Sequence, residues 1–519
     1  MLAASCTTPP PEQEGRAAPL PGPTANATGG EAVTLRLSTL EPDSLDPLQI
    51  DAPHELLLAS QVFDGLVAYD PQTLKAVPAV ARSWRVEEGG RTLVFKLRRG
   101  VRYQDGTSLT ASDFVFAWSR LADPLASAPF SFLLEKVAGY RDYQRRPVSQ
   151  LDGLSAPDDR TFEVHLSTPW PDFVSVLGHP ALSPVPSAAA QSSFGTQPVG
   201  NGPYRLVSPV GASGPMIMER FDDYYGRPPD VARLEFEVVE EAEDAWPDFL
   251  AGDLDEASIP ASALSDAESR YGPAGIVPLA RLLYCGFNQQ DERFQSRDLR
   301  VAVSLAVDRQ AVAARVYGGL ALPATGLVPP RVPGSQADAC GAACRRDPEE
   351  AARMIEKLPR RSRTFSLDYT RSEVGDALAG TLATQLEQTG FHVKPRAHPE
   401  TEYAALLRTD REEFFCLVWT ADYPRQQAIL EPLLKAGSAD NLAGIDDREL
   451  NEVLAKARAE RSPSRRSGLY RRAEDLALES MRLIPLVWFR SHLAVQPYVE
   501  GFSVDALGLF DASTLRVLP

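Results

Sequence analysis

The sequence predicts an α/β protein of two or three domains, and three observations predict it. The chain has 519 residues, too many for one small core when a domain takes roughly 100 to 200. Its first half holds short alternating strands separated by Pro- and Gly-rich turns. Its second half contains a strand, helix, strand, helix, strand succession, which implies a mostly parallel sheet with right-handed crossovers. Apolar residues make up 44% and charged residues 24%, an ordinary globular balance. No apolar run approaches the roughly 18 residues needed to cross a membrane. With 53 Lys and Arg against 70 Asp and Glu, the net charge is -17. No basic stripe interleaves with aromatics, so nucleic acid is excluded as an expected partner.

In the first half, Val33 to Ser38 alternates as a strand, and Pro42 and Pro47 bound two turns. Leu56, Ala59 and Phe63 share one side of a helix from about Glu55 to Phe63. Leu93 to Leu97 and Phe162 to Leu166 have the period of two expected of half-buried strands. Between them the Asp105-Gly106 turn leads to Thr110, a natural N-cap for a helix carrying Phe114, Trp118 and Leu121. A Pro-rich stretch through Pro184 and Pro186 precedes a Gly-rich turn at Gly200-Asn201-Gly202-Pro203-Tyr204.

In the second half, Thr364 to Tyr369 reads as a strand, and Leu378, Leu382 and Leu386 mark a helix that Gly390 can close in the left-handed region. Phe391 to Val393 begins a strand, Glu402 to Arg408 forms a short helix, and Phe414 to Trp419 is a strongly apolar strand. Ligands of open sheets sit beyond the carboxyl ends of the strands. That place is taken by Thr420-Ala421-Asp422-Tyr423-Pro424, which nominates Asp422. Taken alone, an aspartate there is more commonly an Asx-turn residue that ends the strand. Two helices, about Arg448 to Ala459 and Arg466 to Ser480, and strands at Leu483 to Phe489 and Leu493 to Val495 finish the chain.

Catalytic and metal chemistry finds no support. The six His are scattered, with no His-Glu-x-x-His and no Cys-x-x-Cys. No phosphate loop or Gly-x-Ser-x-Gly elbow occurs. No enzyme activity, metal or cofactor is expected.

Ordered segments over most of the chain resemble one family. They include Leu45-Asp46-Pro47, Phe63-Asp64-Gly65-Leu66, Trp84, Phe95-Lys96-Leu97-Arg98, Leu109 to Val115, Trp118 to Pro124, His179-Pro180 with Ser183 to Pro186, and Gly200 to Tyr204. Phe287-Asn288, Arg300 to Val303, Asp308-Arg309, Trp419 to Pro424 and Ile484-Pro485-Leu486 continue the series. Together they resemble the extracytoplasmic solute-binding proteins, family 5, of peptide-type ABC importers, and within them the oligopeptide binders. The resemblance implies a periplasmic-binding-protein-like α/β fold with mixed sheets, two main lobes and an extra lobe. Lobe I would take residues 31–62, 200–280 and 490–519; lobe II, 63–199; lobe III, 281–489. Two crossing segments, near Leu282 to Asn288 and Leu486 to Phe489, would hinge the lobes around ligand.

The implied function is that of an extracytoplasmic receptor that holds an extended oligopeptide as an added strand and delivers it to an importer permease. Trp419-Thr420-Ala421-Asp422, with Val418 before it, matches the segment that pairs with the peptide backbone, and Asp422 takes the role of anchor for the α-ammonium. Asp51 falls where oligopeptide binders have a Glu near the ligand. Phe130 and Phe489 fall at aromatic positions of the cleft, where plain core packing is an equal reading. The chain departs from the pattern at Cys416, where a basic residue is expected, and at Glu400, near which a cleft Trp is expected. Arg371 is a substitute for holding a ligand carboxylate, although an exposed loop Arg usually has no specific role.

The resemblance also implies a bridge between the crossing segments, which here falls on Cys285 and Cys416, with a local bridge between Cys340 and Cys344; buried free thiols are the other reading. Both bridges suit an oxidising compartment. Leu2-Ala3-Ala4-Ser5-Cys6 resembles the end of a bacterial lipoprotein signal lacking its basic and apolar parts, with Cys6 as the lipidated residue. Residues Thr7 to Gly30, rich in Pro, Gly, Thr and Ala, read as a tether. A monomer outside the membrane, held by lipid on Cys6 or free in the periplasm, follows. A surface or secreted peptidase reusing a peptide-holding cleft, or a binder of a non-peptide solute, remains the alternative.

Overall fold

A computed structural model describes residues 33–146, 150–190, 193–409 and 412–518. Cys6 and the expected tether lie outside these residues. The strand Thr34–Leu40 turns Leu35 and Leu37 inward and pairs in parallel with Arg233–Val239. Met216–Arg220 and Tyr204–Leu206 complete this four-stranded sheet. Between its first two strands the chain builds a second, antiparallel sheet. Its order is Ala81–Glu87, Thr92–Leu97, Thr161–His165, Leu154–Asp158.

The helix Ala111–Leu121 packs on that second sheet. Asp113 accepts the Thr110 backbone N–H at 2.7 Å, which satisfies a donor at the helix start. Trp118 is fully buried; its indole N–H donates to Leu182 O at 2.9 Å, and its ring meets Phe162 edge-on at 5.0 Å. The expected N-cap and aromatic face are therefore both present.

The third sheet has six strands in the order Ala321–Pro323, Leu483–Arg490, Pro278–Phe287, Phe414–Thr420, Thr364–Thr370, His392–His398. The last three strands are mutually parallel, as the alternation of strands and helices predicts. The helix Glu373–Glu387 buries Leu378, Leu382 and Leu386, and Gly390 closes it with φ +104°. The sheet is nevertheless mixed and not mostly parallel. Pro278–Phe287 pairs antiparallel with Phe414–Thr420 on one side and with Leu483–Arg490 on the other. These two strands are the expected crossing segments, and both are nearly continuous buried apolar runs whose direction no local pattern reveals.

Cys285 and Cys416 are direct partners in this antiparallel register, and their sulfur atoms stand at bonding distance. Those of Cys340 and Cys344 do the same. Arg309, from the Asp308-Arg309 motif, is buried, and its guanidinium donates to the carbonyls of Ser304, Cys344 and Pro485. That motif therefore ties the second crossing strand to the helices beneath it. Among the described residues no helix is long and apolar enough to cross a membrane.

Candidate functional site

The strand Phe414–Thr420 is paired along its whole length with Arg281–Phe287, but on its other flank only Phe414 and Phe415 have strand partners. The Tyr403 hydroxyl closes the next position, donating to the carbonyls of Cys416 and Asp368 at 3.1 Å each. Beyond Cys416 the flank is an open edge, and the burial pattern changes with it: Leu417 and Trp419 are half-buried, Thr420 is exposed and Val418 is 41% exposed. An unpaired strand edge is a template for an added strand.

The end of that strand is held firmly. Ala421 N–H donates to Ala280 O at 2.9 Å, and the Trp419 indole N–H donates to Ala428 O at 2.8 Å. Trp419 therefore braces the helix Gln427–Leu434, and what this segment offers outward is its backbone. Asp422 follows, half-buried, and among the described residues no Lys, Arg or His lies within ion-pair distance of it. Burial pushes its carboxyl up from 3.8 to about 7, opposed by its own backbone N–H and assisted by the negative charge of Asp440.

Asp422 faces another part of the chain, not open solvent. Its charge acts on the half-buried Tyr69 phenol, which desolvation chiefly, then Asp505 and Asp422, push upward. Neighbouring contacts fix the approach. Arg425 donates to Leu74 O at 2.9 Å, the Trp170 indole N–H donates to Gln427 Oε1 at 2.7 Å, and Arg466 pairs with Asp172 at 2.7 Å.

Phe489 joins this neighbourhood through Arg281. The guanidinium of Arg281, directly across the strand pair from Thr420, lies 4.7 Å from the centre of the Phe489 ring, and Tyr317 meets that ring edge-on at 5.2 Å. Arg281 has no acidic partner among the described residues and is lowered by burial. The sequence did not point to Arg281, Tyr317 or Asp440, because each reaches the site from a distant strand or loop. No hydrogen bond, ion pair or ring contact among the described residues joins Asp51, Phe130 or Arg371 to this group. Asp51 is exposed before the helix Pro53–Val62, Phe130 packs on His179 at 4.3 Å, and Arg371 is exposed with its N–H on His398 O.

Arg281 is thus a cation held by an aromatic face one strand in from the open edge, and Asp422 an anion held by nothing charged just beyond the end of that edge. The profile of the bacterial extracellular solute-binding proteins, family 5 Middle, matches residues 75–441, well over half the chain. The chain belongs to that family. It is 29% identical over 490 residues to a probable deoxycholate-binding periplasmic protein, YgiS, of Escherichia coli, covering 89% of each. It is 28% identical over 504 residues to the periplasmic oligopeptide-binding protein OppA of the same species, covering 92% of this chain and 91% of OppA. Among solved structures, the unliganded open form of the murein tripeptide-binding protein MppA matches with a TM-score of 0.81 at 24% identity, over 94% of this chain and 98% of that one. OppA of Haemophilus influenzae in complex with the peptide RPPGFSPFR matches with a TM-score of 0.74 at 24% identity, covering 94% of this chain and 100% of that chain. The chain has the fold of the periplasmic peptide-binding proteins, with mixed sheets.

Proposed function

We propose that this protein is the extracytoplasmic receptor of an ABC importer and binds oligopeptides in extended form. The observation that carries the reading is Asp422: a desolvated carboxylate without a cationic partner, at the end of an open strand edge. A peptide laid along Leu417 to Thr420 gains main-chain hydrogen bonds whatever its sequence, and its α-ammonium supplies the positive charge that Asp422 lacks. A charged hydrogen bond of this kind contributes about 1.5–3 kcal/mol. OppA, DppE and MppA are named for binding oligopeptides, dipeptides and murein peptides, which supports the peptide class. Arg281 and Phe489 lie one and two strands in from that edge; Asp51, Phe130 and Arg371 join the site only if the lobes close further.

The lobe division expected at 31–62, 200–280 and 490–519, at 63–199 and at 281–489 is supported by the sheets, since the three largest each fall within one of these groups apart from the first residues of the strand Pro278–Phe287 and the last residue, Arg490, of the strand Leu483–Arg490. Closure about the two crossing strands is the step a permease would recognise. Bridges at Cys285–Cys416 and Cys340–Cys344 and a lipid at Cys6 would suit a monomer outside the cytoplasmic membrane, as the periplasmic relatives are named. Intact mass with and without reductant tests the bridges.

The test of function is mass spectrometry of ligand carried through purification, with calorimetry of wild type and Asp422→Asn. Intact peptides and an affinity loss of at least about thirtyfold in the variant, equivalent to about 2 kcal/mol, are expected. Newly cut fragments in a peptide pool would instead support a peptidase. The relationship to YgiS favours a second reading, a non-peptide solute such as a bile acid. An anion of that kind is repelled by an ionised Asp422, so it would bind elsewhere.

A further inference from the structure

A cavity of about 820 Å³ is not lined by Asp422 or by the strand that precedes it. One wall comes from residues 135–142 and 167–169; the other comes from the helices Gln427–Leu434 and Arg448–Ala459 and the turn between them. Its volume lies within the roughly 300–1,000 Å³ of small-molecule sites. Most of its surface is carbon, with Tyr140, Pro169, Ala436, Ala455 and Ala459 among the accessible residues that line it.

The charges around this trough are not balanced. Glu431 is consumed within its own wall, accepting from Tyr470 Oη at 2.7 Å, from Gln427 Nε2 at 3.1 Å and from Arg458. Glu135 is paired with Lys136 at 2.9 Å, and Asp142 stands 3.8 Å from Arg145. That leaves Lys435 on one wall and Arg141 on the other. Among the described residues neither has an acidic partner within ion-pair distance, and both line the cavity. Desolvation chiefly disfavours the charge of Lys435, and repulsion from Arg458 and Lys136, opposed by Glu431 and Glu135, acts beside it. Carbon walls of this volume with two uncommitted cations at the rim describe a receptor for a molecule with an apolar body and one negative charge.

We propose that this trough is a second ligand site, which takes an amphipathic monocarboxylate with its carboxylate on Lys435 and Arg141 and its apolar body between Tyr140 and Ala455. No residue from Leu417 to Asp422 lines it. Because its two walls come from segments almost 300 residues apart in sequence, an occupant bridges them. Failure of the peptide reading would leave this proposal standing.

The probe is sodium deoxycholate below its micellar concentration, added to the full chain and followed by calorimetry and thermal shift, with its uncharged methyl ester as control. Saturable binding is expected for deoxycholate and at least about tenfold weaker binding for the ester, the equivalent of one charged hydrogen bond. Lys435→Gln weakens deoxycholate by about tenfold and leaves binding of a free-amino peptide unchanged. Ala455 is exposed on its helix, so Ala455→Trp fills the trough without entering a core and abolishes deoxycholate binding. Asp422→Asn leaves deoxycholate affinity unchanged. The proposal is overturned if deoxycholate does not bind, if the ester binds equally well, if Lys435→Gln and Ala455→Trp both leave its affinity intact, or if Asp422→Asn or a competing peptide removes it.

Discussion

Asp368 and Asp422 are two carboxylates of one sheet with opposite surroundings. Asp368 lies on Thr364–Thr370, fully buried, and its oxygens meet Arg396 Nη2 at 2.9 Å and His398 Nε2 at 2.8 Å, with Ser366 Oγ at 3.3 Å. Asp422 ends the adjacent strand, is more accessible, and has no cation. A carboxylate that serves the fold arrives with its counter-charges built in, because an unpaired buried charge is costly. One that is desolvated and left uncompensated at an open strand edge weakens the fold, and that cost is recovered when a positively charged ligand arrives. The same contrast separates Asp46, bound by both terminal nitrogens of Arg120, from the acids of the site.

The sharpest way to break this comparison is to neutralise each carboxylate in turn. Asp368→Asn leaves Arg396 and His398 facing a neutral group and is expected to cost about 3 kcal/mol of stability, read as a lower urea midpoint. Asp422→Asn is expected to cost no stability at pH 8, where the wild-type carboxyl is ionised against its preference. If the two variants lose stability equally, Asp422 is a structural residue and its assignment to ligand falls.

The scaffold behind this contrast could be read from the sequence, for identifiable reasons. The parallel strands that carry Asp368 and lead into Asp422 alternate with helices whose apolar residues recur every four positions, at Leu378, Leu382 and Leu386, so their order and direction followed from local pattern. The segment Trp419 to Asp422 was legible from a strand end and from its family resemblance. The crossing strands were not legible as antiparallel members of the same sheet, since Pro278–Phe287 is buried on both faces and carries no alternation. Nor were the charges that distinguish the aspartates. Arg396 and His398 reach Asp368 from a neighbouring strand, and Asp440, Arg281 and Tyr317 come to the site through tertiary packing. Lys435 sits within reach of Arg458 and Lys136 for the same reason, and nothing in its local sequence marks it.

The pH dependence of binding sharpens the comparison at a smaller scale. In the free protein the Asp422 carboxyl stands at about 7, raised mainly by burial. An α-ammonium keeps its charge up to about pH 8, so as pH falls through 7 only the carboxyl changes, gaining a proton and losing its attraction for the ligand. Affinity for a free-amino peptide is therefore expected to fall by up to about tenfold per pH unit below 7, with net proton release on binding, measurable by calorimetry in two buffers of different ionisation enthalpy. Asp422→Asn should flatten the profile. A wild-type affinity constant from pH 5.5 to 7.5 would show that the carboxyl does not meet the ammonium.

The smallest effect concerns the positive counterparts, Arg309 and Arg281. Arg309 is buried and spends its donors on three carbonyls of the fold, whereas Arg281 rests on Phe489 with its charge unmatched. A cation over an exposed ring contributes about 0.5–1 kcal/mol, so Arg281→Gln should lower stability by no more than about 1 kcal/mol. Arg281 stands opposite Thr420 in register, two residues before the ammonium anchor and one strand in from the open edge, so its long side chain is within electrostatic range of a bound peptide's first side chains. A solvent-accessible ion pair is worth about 0.2–1 kcal/mol, so peptides with Asp or Glu at an early position should lose up to about fivefold in affinity on Arg281→Gln, and neutral peptides of the same length should lose nothing. Equal losses for both peptides would mean that Arg281 only holds Phe489 in place and reads no charge on the ligand.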